Sequence, residues 1–382
     1  MTTFSDKAAY STFTPATTAI PEKVADCTLL SQAPVRVLYG VQGTGNGHIS
    51  RAGAMNKALA ELKRFQVSWV MSGRPREQIM CCDDYNWYRG MTFATNNGKI
   101  EVLHTIFGNN LLQFIHDTSE LYLDNFDLII TDFEPVVSWA AKRRGRKTLG
   151  IGHQYAFYFP VPVVRNNKIS KLGMKYFAPA DTKLGLHWHH FDQPILPPIV
   201  DMHAVNIDQQ EVSDKVLVYL PFENQDKLVE LLKELPQWNF YIYSAEMEDY
   251  NQGNIHTRAI SKTRFKNDLV TASSLITNSG FELISECLML GKRILTKPLL
   301  GQIEQLSNAR ALSELDYATV ISELSLKAIS QWLESPGKAY RVQYPDVAKA
   351  IAHWINDNQR QSIEDLSRDL WQQTSVKRMI IS

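Results

Sequence analysis

The stretch that decides the fold is Val35-Arg-Val-Leu-Tyr-Gly-Val-Gln-Gly-Thr-Gly-Asn-Gly-His48, followed by Ile-Ser-Arg-Ala-Gly-Ala-Met-Asn-Lys-Ala-Leu-Ala-Glu-Leu-Lys63. It opens as a strand, Val35–Tyr39, runs into a glycine loop from Gly40 to Gly47, and continues as a helix from about Ser50 to Lys63. Ala52, Met55, Leu59 and Leu62 recur at helical spacing. A second strand, Gln66–Met71, ends at Ser72-Gly73-Arg74. Strand, loop, helix and strand in this order start a parallel sheet. Gly43, Gly45 and Gly47 alternate with Thr44 and Asn46, which lets the backbone turn tightly and approach a ligand closely. The N–H groups of the following helix then face whatever sits in the loop, and an anion suits them. No Gly-Lys-Ser/Thr closes the loop, so it is not a P-loop. The glycine spacing and the missing acidic residue after Met71 also argue against a dinucleotide fingerprint. His48 follows the last glycine directly, where an imidazole can accept a proton.

Outward from this unit the pattern continues. Asp127–Thr131 is a buried-type strand that ends at Asp132-Phe-Glu134-Pro135, and a helix from Val136 to Arg144 leads to the strand Thr148–Ile151. Asp132 and Glu134 sit where such sheets open their clefts, as candidate acid–base groups; loop solvation and helix capping are the plain alternative. Pro194, Pro197, Pro198 and the polar run Asn206–Asp214 mark a boundary near residue 206. The pattern then restarts with strands at Val216–Leu220, Phe240–Tyr243, Leu275–Thr277 and Arg293–Thr296, and helices at Asp226–Leu235 and Phe281–Leu290. Two successive halves of this kind predict an α/β protein of two doubly wound, Rossmann-like domains facing a cleft. The expected organisation is a disordered leader over 1–34, a first domain over 35–205, a second over 206–343, and helices over 344–382 that pack back on the first. The 382 residues suit two domains.

Lys+Arg and Asp+Glu are both 40, so the formal charge is zero. The zero is a cancellation: residues 35–205 carry +5 and residues 206–382 carry −4. Neither number suits a nucleic-acid binder, and no recognition motif accompanies the basic residues. The basic amphipathic run 165–177, RNNKISKLGMKYF, reads either as a surface helix or as a peripheral contact with an anionic membrane. No apolar run reaches transmembrane length and the leader is no secretory signal, so the expected location is the cytoplasm, with or without contact to the inner face of the membrane. Cys27, Cys81, Cys82 and Cys287 fit neither a metal knuckle nor a disulfide framework. His187-Trp-His-His190 lacks a third ligand at a metal spacing, which favours aromatic packing near the cleft over a metal site. His153-Gln154 follows a strand and is a candidate for the acceptor side.

The segment Asn278-Ser-Gly-Phe-Glu-Leu-Ile-Ser-Glu286 opens a helix, and Ser279 with Glu282 reads as a capping box. Glu286 lies one turn deeper, where a carboxylate can accept from vicinal hydroxyls. Gln302, Glu304, Gln305 and Asn308 crowd a strand-to-helix junction with groups suited to sugar hydroxyls. GVQGTGNGH (40–48) and NSGFELISECLMLGKRILTKPLLGQIEQLSNA (278–309) together resemble the two halves of GT-B glycosyltransferases. TDFEP (131–135) and HWHHFDQPILPPIV (187–200) look more like a less characterised branch of transferases, while the first two segments are similar to the peptidoglycan N-acetylglucosaminyltransferases. Arg293 stands where that pattern has proline, and Asn46 extends its GTGGH loop.

The resemblance implies a hexosyltransferase that moves a sugar, an N-acetylhexosamine, from a UDP-sugar to a lipid-linked or cell-surface-glycan acceptor. It implies inversion, with no catalytic metal and no cofactor besides the donor substrate. It places Glu286 on the ribose, Asn278, Ser279 and Gly280 by the diphosphate, and Gln302, Glu304 and Gln305 on the donor sugar. The loop Gly43–Gly47 with His48 would cover the diphosphate and the acceptor hydroxyl. Two other readings stay open at this point: a UDP-N-acetylhexosamine 2-epimerase or hydrolase working through Asp132 and Glu134, and a non-catalytic nucleotide-sugar-binding protein.

Overall fold

Val35–Gln42 (β1) is buried from Val37 onward, as a strand covered on both faces must be. In the computed structural model it pairs in parallel with Phe65–Ser72 (β2) on one side. The structure describes residues 33–79, 84–91, 95–96, 99–100, 110–164, 176–201 and 206–380. Tyr85–Trp87 (β3) extends the sheet beyond β2, and Thr95–Asn96 (β4) pairs with Lys99–Ile100 (β5) in a separate antiparallel ribbon. On the other side of β1 come Leu128–Asp132 (β6), Leu149–Gly152 (β7) and Thr182–Gly185 (β8), all parallel. The resulting 6-stranded order is β3-β2-β1-β6-β7-β8.

The second half repeats it. Val212–Tyr219 (β9) is flanked by Asn239–Tyr243 (β10) and, further along the chain, by Ala272–Asn278 (β13). Tyr250–Gln252 (β11), Ile255–Arg258 (β12), Arg293–Lys297 (β14) and Thr319–Val320 (β15) complete a 7-stranded sheet ordered β11-β12-β10-β9-β13-β14-β15. Only its edge strand β11 is antiparallel. In both sheets the chain runs outward from a central strand and then restarts on that strand's other side. The restart leaves a crevice at the carboxyl ends of β1 and β6 in one sheet, and of β9 and β13 in the other.

The helices follow the expected order with instructive differences. The first, Asn46–Glu61 (α1), begins inside the glycine loop, so Gly47 and His48 belong to its first turn. Leu111–Glu120 (α2), Pro135–Arg143 (α3), Gln225–Lys233 (α4) and Lys262–Thr271 (α5) precede Phe281–Leu290 (α6). The capping box expected at α6 does not form. Gly280 is the N-cap, Ser279 lies outside the helix with its hydroxyl 2.9 Å from that of Thr296, and Glu282 turns to Arg51. Ile303–Glu314 (α7) and Leu326–Glu334 (α8) finish the second half.

The tail is not helical throughout. Val347–Asn356 (α9) and Ile363–Gln372 (α10) are followed by Ser375–Ile380 (β17), which pairs antiparallel with Lys338–Gln343 (β16). The chain therefore crosses to the first half and returns. Arg64 Nη1 donates to the backbone carbonyl of Asn356 at 2.8 Å, and Ser367 Oγ and Trp371 Nε1 donate to the carbonyl of Ile195 at 2.7 and 2.6 Å. One apolar cluster runs through both halves, taking in Met55 and Leu59 of α1, Trp188, Phe281, Ile284 and Ile351. Trp188 is fully buried and donates from Nε1 to Ser285 Oγ of α6 at 2.8 Å.

No helix among the described residues is long and apolar enough to cross a membrane. Cys287 is buried and free. Nearly all of the leader, most of the basic run 165–177, and Cys27, Cys81 and Cys82 lie outside the described residues.

Ile351, on the α9 face against α1, should be a keystone of this shared core. Ile351→Ala is expected to cost about 2–5 kcal/mol, read as a lower urea midpoint with an unchanged slope.

Candidate active site

The glycine loop is seated on the end of β2. Gly43 donates its N–H to Ser72 O at 2.7 Å, and a Cβ at Gly43 would stand 2.8 Å from that oxygen. Thr44 Oγ1 accepts from Gln42 at 3.1 Å, and Asn46 accepts from Arg74 at 2.8 Å while its amide reaches Tyr219 OH, at the end of β9, at 3.4 Å. Gly45, the N-cap of α1, has open space where a side chain would be. Gly47 is different, since a Cβ there would come within 2.4 Å of Glu282 Cγ. The two halves touch at this glycine.

His48 and Arg51, three residues apart on α1, face the same way. Both reach Asp132 at the end of β6. His48 Nδ1 lies 2.8 Å from Asp132 Oδ1, and Arg51 grips the same carboxylate with Nε to Oδ2 at 2.8 Å and Nη2 to Oδ1 at 2.6 Å. Arg51 Nη1 donates to Glu282 of α6. Arg51 is 2% exposed and Asp132 fully buried. Burial alone would lift the Asp132 carboxyl, but Arg51 and His48 hold it below the usual carboxylate range. Asp132 is thus an anion with both oxygens occupied. It orients and polarises His48, and its pairing with Arg51 keeps it a poor base. With Nδ1–H given to Asp132, His48 Nε2 is the acceptor nitrogen. It lies 3.4 Å from Gln154 Nε2, which donates to Glu304 Oε2 at 3.1 Å. Gln154 Oε1 is buried without a hydrogen-bond partner.

Glu134 points the other way. Phe133 takes a left-handed backbone, φ 52, so the two neighbouring carboxylates diverge. Glu134 caps α3, accepting from Val136 N at 2.8 Å, Val137 N at 2.7 Å and Ser72 Oγ at 2.6 Å. It is fully buried, and burial pushes its carboxyl up to about 7 against these donors. His153 is likewise a fastening. It is 1% exposed, stacked on Phe281 at 3.9 Å, and held by Leu186 O at 2.8 Å and Asn308 Oδ1 at 2.7 Å. Asn308 Nδ2 then donates to Ser279 O at 3.0 Å. His187 and His189 each accept a backbone N–H at Nδ1 and pack among aromatic rings. Among the described residues no group of three or more His, Cys, Asp or Glu could hold a metal ion.

On the second half, Asn278 ends β13 and donates to Lys297 O at 3.0 Å, leaving Oδ1 buried and unpartnered. Gln302 Oε1 is unpartnered too. Gln305 Oε1 accepts from Leu299 N at 3.0 Å and so fixes the loop before α7. Glu286 is 6% exposed and paired with Lys266. Burial raises its carboxyl although Lys266 opposes this.

Helix ends add a pattern. α2 to α5 and α8 to α10 all begin with a side-chain cap: Asn110, Glu134, Asn224, Ser261, Ser325, Asp346 and Ser362. α1, α6 and α7 have none. These are the three helices whose first turns carry Gly47 and His48, Glu282, and Glu304. Their N-terminal N–H groups and positive dipole ends remain for an anion between the halves.

Sequence reasoning placed His48, Asp132, Gln154 and Glu304 near one cleft, and the structure links them in one network. It turns Glu134 and Gln305 to local fastening, and pairs Glu286 with Lys266. It adds Arg51, whose signal was a cation one helical turn after His48, and Glu282, which had a plainer explanation as a cap.

Arg51→Leu leaves the Asp132 charge buried and half-paired. A loss of about 3–5 kcal/mol is expected, and Asp132→Asn on that background should recover part of it. Glu134 makes a second prediction. Its carboxyl is raised in the fold, so its contribution to stability is full below the unfolded value of 4.5 and is lost as pH rises towards about 7. Relative to Glu134→Gln, the wild type should lose about 2–3 kcal/mol across that window, measured by urea unfolding at stepped pH.

Compared by sequence with curated proteins, the chain has no significant match. By structure it is similar to TcCGT1 in complex with UDP, with a TM-score of 0.54 at 12% identity over 89% of this chain and 95% of that one. The Phytolacca americana UGT2 complexed with UDP-2fluoro-glucose and pterostilbene gives 0.53 at 10% identity over 90% and 98%. The glycosyltransferase of kitacinnamycin gives 0.52 at 14% identity over 89% and 99%. These likenesses carry the fold. The family model described as glycosyl transferase family 1 matches residues 35–335. With two doubly wound sheets, one of six strands and one of seven, and that match over most of its length, the chain belongs to glycosyl transferase family 1 and is a glycosyltransferase of GT-B fold.

Proposed function

We propose that the protein transfers a sugar, an N-acetylhexosamine, from a UDP-sugar to an acceptor hydroxyl, with inversion at the sugar carbon and without a catalytic metal. One observation carries the reading. An imidazole backed by a buried aspartate sits at the end of a glycine loop, and its Nε2 lies 3.4 Å from Gln154 Nε2, which in turn donates to Glu304 of the other half. In the proposed step the acceptor O–H gives its proton to His48 Nε2 while its oxygen attacks the sugar carbon. The bond from that carbon to UDP breaks, and the electron pair leaves on the diphosphate. Asp132 stabilises the imidazolium that forms. The uncapped starts of α1, α6 and α7 face the charge that develops on the leaving group. Gln302, Glu304 and the orphan acceptor of Asn278 suit hydroxyl and amide donors of the sugar. A single displacement of this kind inverts the centre.

The 2-epimerase or hydrolase reading needs carboxylates free to move protons. Asp132 is held as a buried anion by Arg51 and His48, and Glu134 is a buried helix cap, so neither favours it. The acceptor we infer is a lipid-linked or cell-surface glycan. The enzyme would then meet it in the cytoplasm, at the inner face of the membrane, with the basic run 165–177 as the contact.

Incubation with UDP-N-acetylglucosamine separates the readings. Transfer requires an acceptor before UDP accumulates, whereas epimer or UDP formed from donor alone would overturn it. His48→Ala should lower turnover by roughly 10²–10⁴-fold while the melting temperature and UDP affinity stay near wild type. Wild-type turnover in that variant would remove His48 from the mechanism.

A further inference from the structure

The second crevice contains an ion pair that the mechanism above does not use. Lys297 is the last residue of β14, and Glu223 lies on the loop that follows β9. β13 runs between those strands, so the pair spans its carboxyl end, beside Asn278 and the uncapped start of α6. The separation from Lys297 Nζ to Glu223 Oε1 is 2.5 Å, and the side chains are only 11% and 14% exposed. Each is the other's only ion-pair partner among the described residues. Asn278 is tied to the same strand end, donating to Lys297 O at 3.0 Å.

Removing both charges from water is expensive, and an apolar pair of similar volume would serve packing at least as well. A cation here has a use that packing does not supply. The second half carries a net −4, with Glu223 on the loop after β9 and Glu282 and Glu304 in the first turns of α6 and α7. The other buried cations of this region are engaged elsewhere: Arg51 by Asp132 and Glu282, Lys266 by Glu286, and Lys215 by Asp268. A doubly charged diphosphate entering between β9 and β13 meets helix dipoles and, on the second half, Lys297, now neutralised by Glu223; Arg74 of the first half, whose partner Asn46 reaches Tyr219 OH at the end of β9, is a cation on the opposite side.

We propose that Lys297 is the cation that meets the donor's diphosphate, and that Glu223 is an internal anion that holds Lys297 until the diphosphate displaces it. The inference rests on the nucleotide-sugar reading above. Glu223 sits on a loop and can turn to solvent when its partner changes. The pair keeps the empty crevice neutral and its lysine aimed. It also taxes affinity, because only the fraction of molecules with Lys297 released is competent to bind.

Calorimetric titration with UDP and with uridine, on the full chain, tests both parts. Lys297→Met should weaken UDP by roughly tenfold or more and leave uridine within about twofold, since only the diphosphate meets the charge. Glu223→Gln should tighten UDP by about threefold or more, again without moving uridine. The second variant separates the proposal from a purely structural ion pair, for which loss of Glu223 would weaken binding or leave it unchanged. Wild-type binding of UDP, with the UDP-to-uridine preference unmoved in either variant, overturns this proposal alone. A wild type that binds no nucleoside diphosphate overturns the donor reading and this proposal together.

Discussion

The structure turns on one buried guanidinium. Arg51 lies almost wholly out of water, bidentate on Asp132 of its own half and bonded to Glu282 of the other. A buried cation is tolerable only while its carboxylates stay in place. Arg51 therefore fixes three things together: the charge state of Asp132, the rotamer of the His48 that shares it, and the approach of α1 to α6. Gly47 permits that approach, because any Cβ there would collide with Glu282. The interaction that joins the halves is thus also the one that sets up the imidazole.

Around this contact the molecule divides its polar groups into fastenings and vacancies. Fastenings are saturated: Glu134 on α3, Gln305 on its loop, His153 between Leu186 and Asn308. Vacancies are buried or sheltered groups lacking a partner: the acceptor oxygens of Gln154, Asn278 and Gln302, and the uncapped starts of α1, α6 and α7. Buried polar atoms are rarely left unpaired without a reason, and these three acceptors belong to the segments that end β7 and β13 and open α7. Acceptor oxygens ask for hydroxyl or amide donors, and helix N-termini ask for an anion. A nucleotide-sugar offers both.

Charge follows the same logic. The first half carries the basic excess and the second the acidic excess. In the second half the cations Lys215, Lys266, Lys292 and Lys297 are each paired with a carboxylate.

Much of this was legible in the residues. The strand, glycine loop and helix at 35–63, the restart after residue 206 and the polar junction at 302–308 come from local pattern, because strands and helices announce themselves by period and by glycine. His48 and Asp132 could be named as candidates because strand ends and loop ends are where such sheets open. The chain could not say which carboxylate serves. Asp132 and Glu134 are two residues apart with the same chemistry, and a left-handed Phe133 sends one to the histidine and the other to a helix cap. Nor could it say that Ser279 would miss the helix, that Glu282 would cross to Arg51, or that Glu223 would find Lys297, 74 residues away. Sequence alone determined the central strands and helices of each half, their order and a short list of reactive groups, since those depend on neighbours along the chain, whereas edge strands such as β11 and the β16–β17 hairpin were set by their partners. Tertiary structure decided which groups are saturated and which stay open, because burial and pairing depend on residues that only the closed pair of sheets brings together.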